Sequence, residues 1–158
     1  MSDSKRLRIL KKLSEQLSTI THANGYRTEV RSVRRGVAVI GRDEPLPCIT
    51  ILESPKSDME PFRADNSVRQ KDMWLLFIQG FIKDDFENPT DPAHDLLADI
   101  KKCLSANFDP KNSEYSLGGL AASFRMEPGV CAPPGEISPT AYCWLRLEVG
   151  VAEDLRDP

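Results

Sequence analysis

The chain has 158 residues, which predicts one domain with a substantial core, and its 40% hydrophobic and 28% charged residues are ordinary for a soluble globular protein. No apolar run approaches the roughly 20 residues of a membrane span, and the charged N-terminus lacks the apolar segment of a secretory signal. Residues 1–42 carry 10 Lys/Arg and 3 Asp/Glu, whereas the remainder carries 11 and 21. A basic first quarter is compatible with nucleic-acid binding, but the overall acidic balance favours a subunit with oppositely charged flanks that stacks on its own copies.

The first quarter predicts a helix followed by strands. Leucines and an isoleucine recur at helical spacing from residue 7 to residue 20, and Asn24-Gly25 is a typical helix end. Residues 25–41 then have a strand-like pattern rich in arginine, and a second short strand begins at Cys48. Pro45 and Pro47 keep the entry to that strand extended.

The middle of the chain predicts a central strand that leads into a helix. Residues 73–82 are apolar on both alternating sets, as expected for a strand in the middle of a covered sheet. In the segment 91–104, Asp91 is a good N-cap, Pro92 suits the first helical position, and apolar residues recur at helical spacing.

Two further strands are predicted near the C-terminus, at 117–126 and 142–151. The last alternates cleanly, with Cys143, Leu145, Leu147, Val149 and Val151 inward and Tyr142, Trp144, Arg146 and Glu148 outward. A long polar loop at 54–72, a proline-rich loop at 127–141 and a frayed tail at 152–158 complete the single domain, 1–158. The order of elements is α-β-β-β-α-β-β.

The sequence offers no credible active site, so we expect no catalytic residue, cofactor or metal. Asp91, Asp95 and Asp99 are spaced for one helix face beside His94, but a cap, a dipole contact and a pair between Asp99 and Lys102 explain them more simply. No pair of residues has zinc spacing, and there is no GxSxG or Walker motif.

The four cysteines form no CxxC pair. Cys103 and Cys143 fall on predicted core faces, where a free thiol behaves as a small hydrophobic group. We expect reduced thiols, although Cys48 or Cys131 could bond a neighbouring chain in an assembly.

The arginine-rich segment is the most suggestive surface feature. Arg27, Arg31 and Arg35 share one face of the predicted strand, and guanidinium groups suit carboxylates and phosphates alike. A protein partner, a plain solvated surface and nucleic acid are the three interpretations, and exposed Tyr142 and Trp144 favour the first. The candidate interface residues are Arg27, Arg31, Arg34, Arg35, Arg63, Arg69, Tyr142 and Trp144.

Several short motifs follow the N-terminal amphipathic helix: GYRT at 25–28, VRRG at 33–36, LP at 46–47, LFIQGFI at 76–82, PAHD at 92–95 and ADIK at 98–101. Together with that helix they resemble the tail terminator (tail completion) proteins of tailed bacteriophages. The resemblance covers most of residues 5–104, and only the two-strand pattern fits beyond that.

The resemblance implies an α+β fold, in which a mixed sheet of about five strands has two helices packed on one face. It also implies a homo-oligomeric, hexameric ring in the virion, assembled in the host cytoplasm, that caps the tail tube, stops its polymerisation and contacts the neck proteins of the head. DNA would pass through the lumen without specific binding, and no catalytic residues are implied. The 54–72 loop and the arginine segment would be contact elements. The alternatives are another head–tail connector, such as a stopper or adaptor, and a small nucleic-acid-binding module that uses residues 27–42.

Overall fold

The computed structural model describes residues 2–54, 68–108, 117–135 and 138–158, and within them the predicted α+β class is confirmed. In these residues the helices are α1 (Lys5–Leu17) and α2 (Asp91–Ser105), and a 3₁₀ turn lies at His22–Asn24. The strands are β1 (Ser32–Arg35), β2 (Cys48–Glu53), β3 (Arg69–Ile82), β4 (Ser123–Met126), β5 (Val130–Ala132) and β6 (Ala141–Asp154).

The described strands form one mixed sheet of order β1-β2-β3-β6-β4, in which β5 also pairs with β6. β1 runs parallel to β2, and all other pairs are antiparallel. The two 14-residue strands β3 and β6 pair along their whole length, from Arg69 opposite Asp154 to Ile82 opposite Ala141. On its other side, β6 pairs with β4 near one end and with β5 near the other.

The core lies between the two helices and one face of the sheet. The helices contribute Ile9, Leu13 and Leu17 from α1 and Leu96, Ile100 and Leu104 from α2, all buried against strand residues such as Ile49, Leu76, Ile78, Leu145 and Leu147. The predicted inward set of β6 is confirmed, because every one of its five residues is buried. Fully burying such aliphatic side chains is worth about 1.5–3 kcal/mol each.

Gly80 allows α2 to approach the sheet closely. A Cβ atom at this position would lie 2.7 Å from both Cys143 Sγ and Leu96 Cδ2. The glycine inside the LFIQGFI motif therefore fits a close contact between helix and strand.

The helices differ from the prediction at three points, two of them at helix ends and one in the buried stripe of α1. α1 ends at Leu17, and Gly25 (φ +82°) closes the following 3₁₀ turn instead of the helix. The buried stripe of α1 includes Ile9, whereas Leu10 only packs partly against the core. Thr90 is the N-cap residue of α2, so Asp91 lies one position later than predicted, in the first helical turn.

The arginine-rich strand is much shorter than predicted. Only Ser32–Arg35 pairs in the sheet, because the N–H groups of Arg27 and Thr28 are bound by a carboxylate of α2, that of Asp99. Gly36, at φ +72°, then turns the chain out of the strand.

The predicted irregular segments are also shorter. β3 already begins at Arg69, so residues 69–72 belong to the sheet, and residues 55–67 lie outside the described residues. The proline-rich 127–141 segment contains β5, a sixth strand whose three residues carry too weak a pattern to be recognised beside the prolines. β6 continues through Asp154, where Arg156 donates hydrogen bonds of 2.7 and 2.9 Å to the carboxylate, so the frayed-tail prediction was wrong for 152–154.

Candidate interaction surfaces

The face of the sheet opposite the helices carries alternate residues of β2, β3 and β6. No described helix packs on this helix-free face. Cross-strand pairing arranges its side chains in rows, with Thr50, Gln79, Trp144 and Val130 in one row and Leu52, Phe77 and Arg146 in the next. These rows combine apolar and polar side chains, a composition found in protein interfaces.

Two aromatic pairs form the centre of the helix-free face. The rings of Phe77 and Trp144 lie 5.9 Å apart and those of Phe81 and Tyr142 lie 5.3 Å apart, each pair at an interplanar angle of 52°. Phe77 and Trp144 are half-buried, whereas Phe81 and Tyr142 are buried. The prediction that Tyr142 is exposed was therefore wrong, because the phenol packs against a neighbouring ring on the same face.

A chain of hydrogen bonds fixes the buried end of this face. The Thr50 hydroxyl donates to Gln79 Oε1 at 3.0 Å, and Gln79 Nε2 donates to the Tyr142 hydroxyl oxygen at 3.0 Å. Burial raises the pKa of Tyr142, so the phenol stays protonated. These side chains satisfy one another's polar atoms and stabilise the aromatic pairs beside them.

Opposite charges lie next to the aromatic centre. Arg146 forms an ion pair with Glu127 at 3.3 Å, and Arg125 approaches Glu148 at 3.9 Å. Arg146 Nε is buried and has no hydrogen-bond partner among the described residues. A buried donor without a partner costs about 1–3 kcal/mol.

Arg27 and Arg31 lie at a separate cleft, between the start of α2 and the segment before β1. The cleft has a volume of about 550 Å³ and is also lined by the acidic residues Asp85, Asp91 and Asp95. Within the described chain, neither arginine side chain forms an ion pair or a hydrogen bond. The cleft thus presents both signs of charge to solvent, and phosphate would meet carboxylates there as well as guanidinium groups.

Arg34 and Arg35 lie on the short edge strand β1. Arg34 donates to Glu44 at 2.9 Å, and the Ser32 hydroxyl donates to the same carboxylate at 2.5 Å. The hydrogen bond from Ser32, with a smaller contribution from Arg34, lowers the pKa of Glu44. Arg35 is exposed and makes no ion pair with the residues that the structure describes, so it is the free cation of this edge.

The remaining predicted interface residues are far from this edge or outside the described residues. Arg69 begins β3 and lines a cleft of about 510 Å³ with α1 and the C-terminus. Arg63 lies outside the described residues. The eight predicted residues therefore do not converge on one site. Trp144 and Tyr142 share the helix-free face, Arg27 and Arg31 share the cleft, and Arg34 and Arg35 share the edge.

The aspartates of α2 do not converge on a metal site. Asp99 is only 2% exposed and binds the turn at Arg27 and Thr28, whereas Asp95 and His94 face solvent. The predicted pair of Asp99 with Lys102 was wrong, since Lys102 donates to the Gly25 carbonyl oxygen. In the described part of the chain, no group of three or more His, Cys, Asp or Glu side chains could hold a metal ion.

No disulfide joins the four cysteines within the chain, and three of the four are buried. Burial raises the pKa of Cys143 most strongly, and also raises the pKa values of Cys48, Cys103 and Cys131. Cys48 is fully buried and cannot reach a neighbouring chain, which excludes it as an intermolecular disulfide. Cys131 is partly exposed and remains available.

Sequence reasoning missed the two most exposed hydrophobic side chains of the described residues. Phe86 is 97% exposed in the loop between β3 and α2, and Val39 is 80% exposed in the loop between β1 and β2. A phenylalanine among acidic residues, as in DDFEN at 84–88, is the signal that could have found the first.

Comparison with known proteins gave no match, either to a protein-family model or to a curated protein. None of the described helices is long and apolar enough to cross a membrane.

Proposed function

We propose that the protein is a virion structural subunit, a tail terminator whose homo-oligomeric ring caps the tail tube of a phage and joins it to the neck. The observation that carries the proposal is that the described helices pack on one face of the sheet and leave the other face without a helix. Two helices cover one face of the sheet, while the other face presents half-buried Phe77 and Trp144 and the 50% exposed Val130. An apolar face of this kind is stabilised when a neighbouring subunit covers it.

The arrangement of the helices on the sheet also supports the proposal. The tail-terminator resemblance implies a mixed sheet with helices on one face, and this chain has that architecture. The cleft that holds Arg27 and Arg31 together with Asp85, Asp91 and Asp95 presents both signs of charge to solvent, and Arg35 is exposed on β1. Charged groups of both signs on one subunit suit pairing with a neighbouring copy in a closed ring.

The decisive experiment measures assembly and capping together. The mass of the purified protein is determined by light scattering, negative-stain images are taken of the same fraction, and the protein is then added to polymerising tail tube protein. A terminator forms rings, binds one end of the tubes and stops their growth at substoichiometric amounts. A protein that leaves the length distribution of the tubes unchanged and does not bind their ends is not a terminator.

Nucleic-acid binding through residues 27–42 is the second candidate, because Arg27, Arg31, Arg34, Arg35 and Arg42 are all exposed. Glu44 neutralises Arg34, and three aspartates line the cleft of Arg27 and Arg31, so the phosphate backbone would meet a mixed field. DNA binding that weakens steeply with salt would support this candidate over the first. Affinity that varies little with salt, or no binding, would count against it.

A further inference from the structure

Phe86 is presented to solvent on a turn that the chain holds in place. Its side chain is 97% exposed. Asp85, the residue before Phe86, accepts hydrogen bonds through Oδ1 from the N–H groups of Glu87 (2.9 Å) and Asn88 (2.8 Å). The Asn88 carbonyl oxygen in turn accepts one from the N–H of Asp91 at the start of α2. An aromatic side chain on an ordered turn loses little conformational entropy on binding, which favours its use as an interface anchor.

Phe86 follows the C-terminal end of β3, and an apolar groove lies near the start of that strand, on the helix-free face. It is lined mainly by Met73, Ala122, Ser123, Gly150 and Ala152, and has a volume of about 210 Å³. The Ser123 side chain lies directly against Gly150, where a Cβ atom would collide with Ser123 Oγ. A cavity of about 150 Å³ can hold a benzene ring, so the groove has room for a phenyl side chain.

Phe86 cannot reach the groove of its own subunit. Met73 and Ile82 are nine residues apart on one continuous strand, which separates the two ends by about 30 Å. We propose that Phe86 of one copy inserts into the Met73–Gly150 groove of the next copy, in a head-to-tail contact. This contact uses two different surfaces of each subunit, and such a contact generates a closed ring when the rotation between subunits permits.

The charges around the two surfaces are complementary. Asp84, Asp85 and Glu87 adjoin Phe86, with Lys83 as the one nearby cation in the sequence. Lys71 lines the groove and forms no ion pair or hydrogen bond with the described residues through its side chain.

Three described carboxylates at that end of the sheet, those of Asp72, Glu153 and Asp154, already have partners. Arg6 binds Asp72 at 2.7 Å and Glu153 at 3.2 Å, and Arg156 binds Asp154 at 2.7 Å. Of the two charged residues that line the groove, Asp72 is paired with Arg6, so the charge left for an incoming loop is that of Lys71. This favours the acidic DDFEN loop as the occupant.

The test uses the full chain in sedimentation velocity, with three variants. Phe86→Ser removes the ring but leaves the groove, whereas Ala152→Glu blocks the groove but leaves the ring. Val39→Ser is the matched control, because it removes another highly exposed apolar side chain from a different loop. A urea midpoint equal to that of the wild type establishes that a variant folds. If Ala152→Glu does not fold, Lys71→Glu takes its place as the groove variant.

We expect the wild type and Val39→Ser to associate equally, and Phe86→Ser and the groove variant to be monomers, with dissociation constants raised about 30-fold or more. An equimolar mixture of the two defective variants should form dimers and nothing larger, since it retains one intact contact per pair. Any of three results would overturn the inference. Phe86→Ser could associate as strongly as the wild type, the mixture could stay monomeric, or the wild type could be monomeric up to its solubility limit.

The inference rests on the ring assembly in the proposed function, yet the two can fail separately. If the mixture forms dimers but the wild type does not affect tube growth, the contact between copies is supported and the terminator function is excluded. If Phe86→Ser caps tubes normally, the terminator function is supported and the contact through Phe86 is excluded.

Discussion

The Asp99 carboxylate accepts hydrogen bonds from both the backbone N–H and the hydroxyl of Thr28, at 2.7 and 2.6 Å. The N–H of Arg27 adds a third bond at 3.2 Å, and both Asp99 and Thr28 are buried. This cluster joins the middle of α2 to the segment that leads into β1. It also determines where the arginines lie, since the backbone that carries Arg27 is bound to the helix.

We therefore expect Asp99→Asn to destabilise the fold by about 1–3 kcal/mol, because an amide group has one acceptor oxygen in place of two and adds a donor without a partner. The measurement is the free energy of unfolding from urea denaturation. Asp95→Asn is the matched control, one helical turn earlier and exposed, and should change stability by less than about 0.5 kcal/mol. Equal effects of the two substitutions would show that the buried cluster contributes little.

Gly80→Ala tests the close approach of α2 to the sheet. The added methyl group would lie 2.7 Å from Leu96 Cδ2 and from Cys143 Sγ, so these side chains or the helix must move. We expect a loss of about 1–3 kcal/mol in the free energy of unfolding, the usual cost of overpacking a core. Gly41→Ala is the control, because a Cβ atom at Gly41 has no neighbour within 4 Å and its backbone is not in the left-handed region. A neutral Gly80→Ala would mean that the helix shifts freely over the strand.

The buried thiols predict a stability that falls in alkaline solution. Burial raises the pKa of Cys143, whereas an unfolded thiol ionises near pH 8.5. Above that pH the unfolded chain has lost a proton that the folded chain keeps, so the free energy of unfolding decreases as pH rises, by up to about 1.4 kcal/mol per pH unit for one such group.

Cys143→Ala should therefore flatten the decline of stability between about pH 8.5 and 10, whatever its effect at neutral pH. The measurement is urea denaturation at a series of pH values. Cys131→Ala, at the directly opposed but partly exposed position on β5, should flatten it less. Parallel pH profiles for the wild type and Cys143→Ala would contradict the expectation.

The pattern of hydrophobic residues predicted the fold class and the inward set of β6, because alternation and helical spacing report which face of an element is buried. It could not predict that the segment before β1 is irregular. That outcome depends on Asp99, which lies more than 70 residues away in the sequence and looks like one of three similar aspartates. The pattern also could not locate the groove at Met73, since Gly150 and Ser123 come together only through the pairing of β4 with β6.

Tyr142 shows a further limit of the pattern. Alternation correctly assigned it to the face opposite the helices, but a position on that face does not determine exposure. Phe81, directly opposite on β3, and the hydrogen bond from Gln79 bury the phenol. Trp144, two residues later on the same face, stays half-exposed and remains a candidate for contact with a neighbouring subunit.

Arg35→Glu tests the role of the basic edge strand in assembly. Arg35 is exposed on β1 and has no ion-pair partner in the part of the chain that the structure describes, so its replacement should leave the urea midpoint within about 0.5 kcal/mol of the wild type. If β1 contacts an acidic surface of a neighbouring copy, the reversed charge should reduce the mass measured by light scattering, and added salt should weaken the wild-type assembly as well. Lys12→Glu makes the same change of charge at an exposed position of α1 and should assemble normally. An assembly defect in both variants would indicate a general effect of net charge, and unfolding of Arg35→Glu would show that the edge strand needs its arginine for the fold.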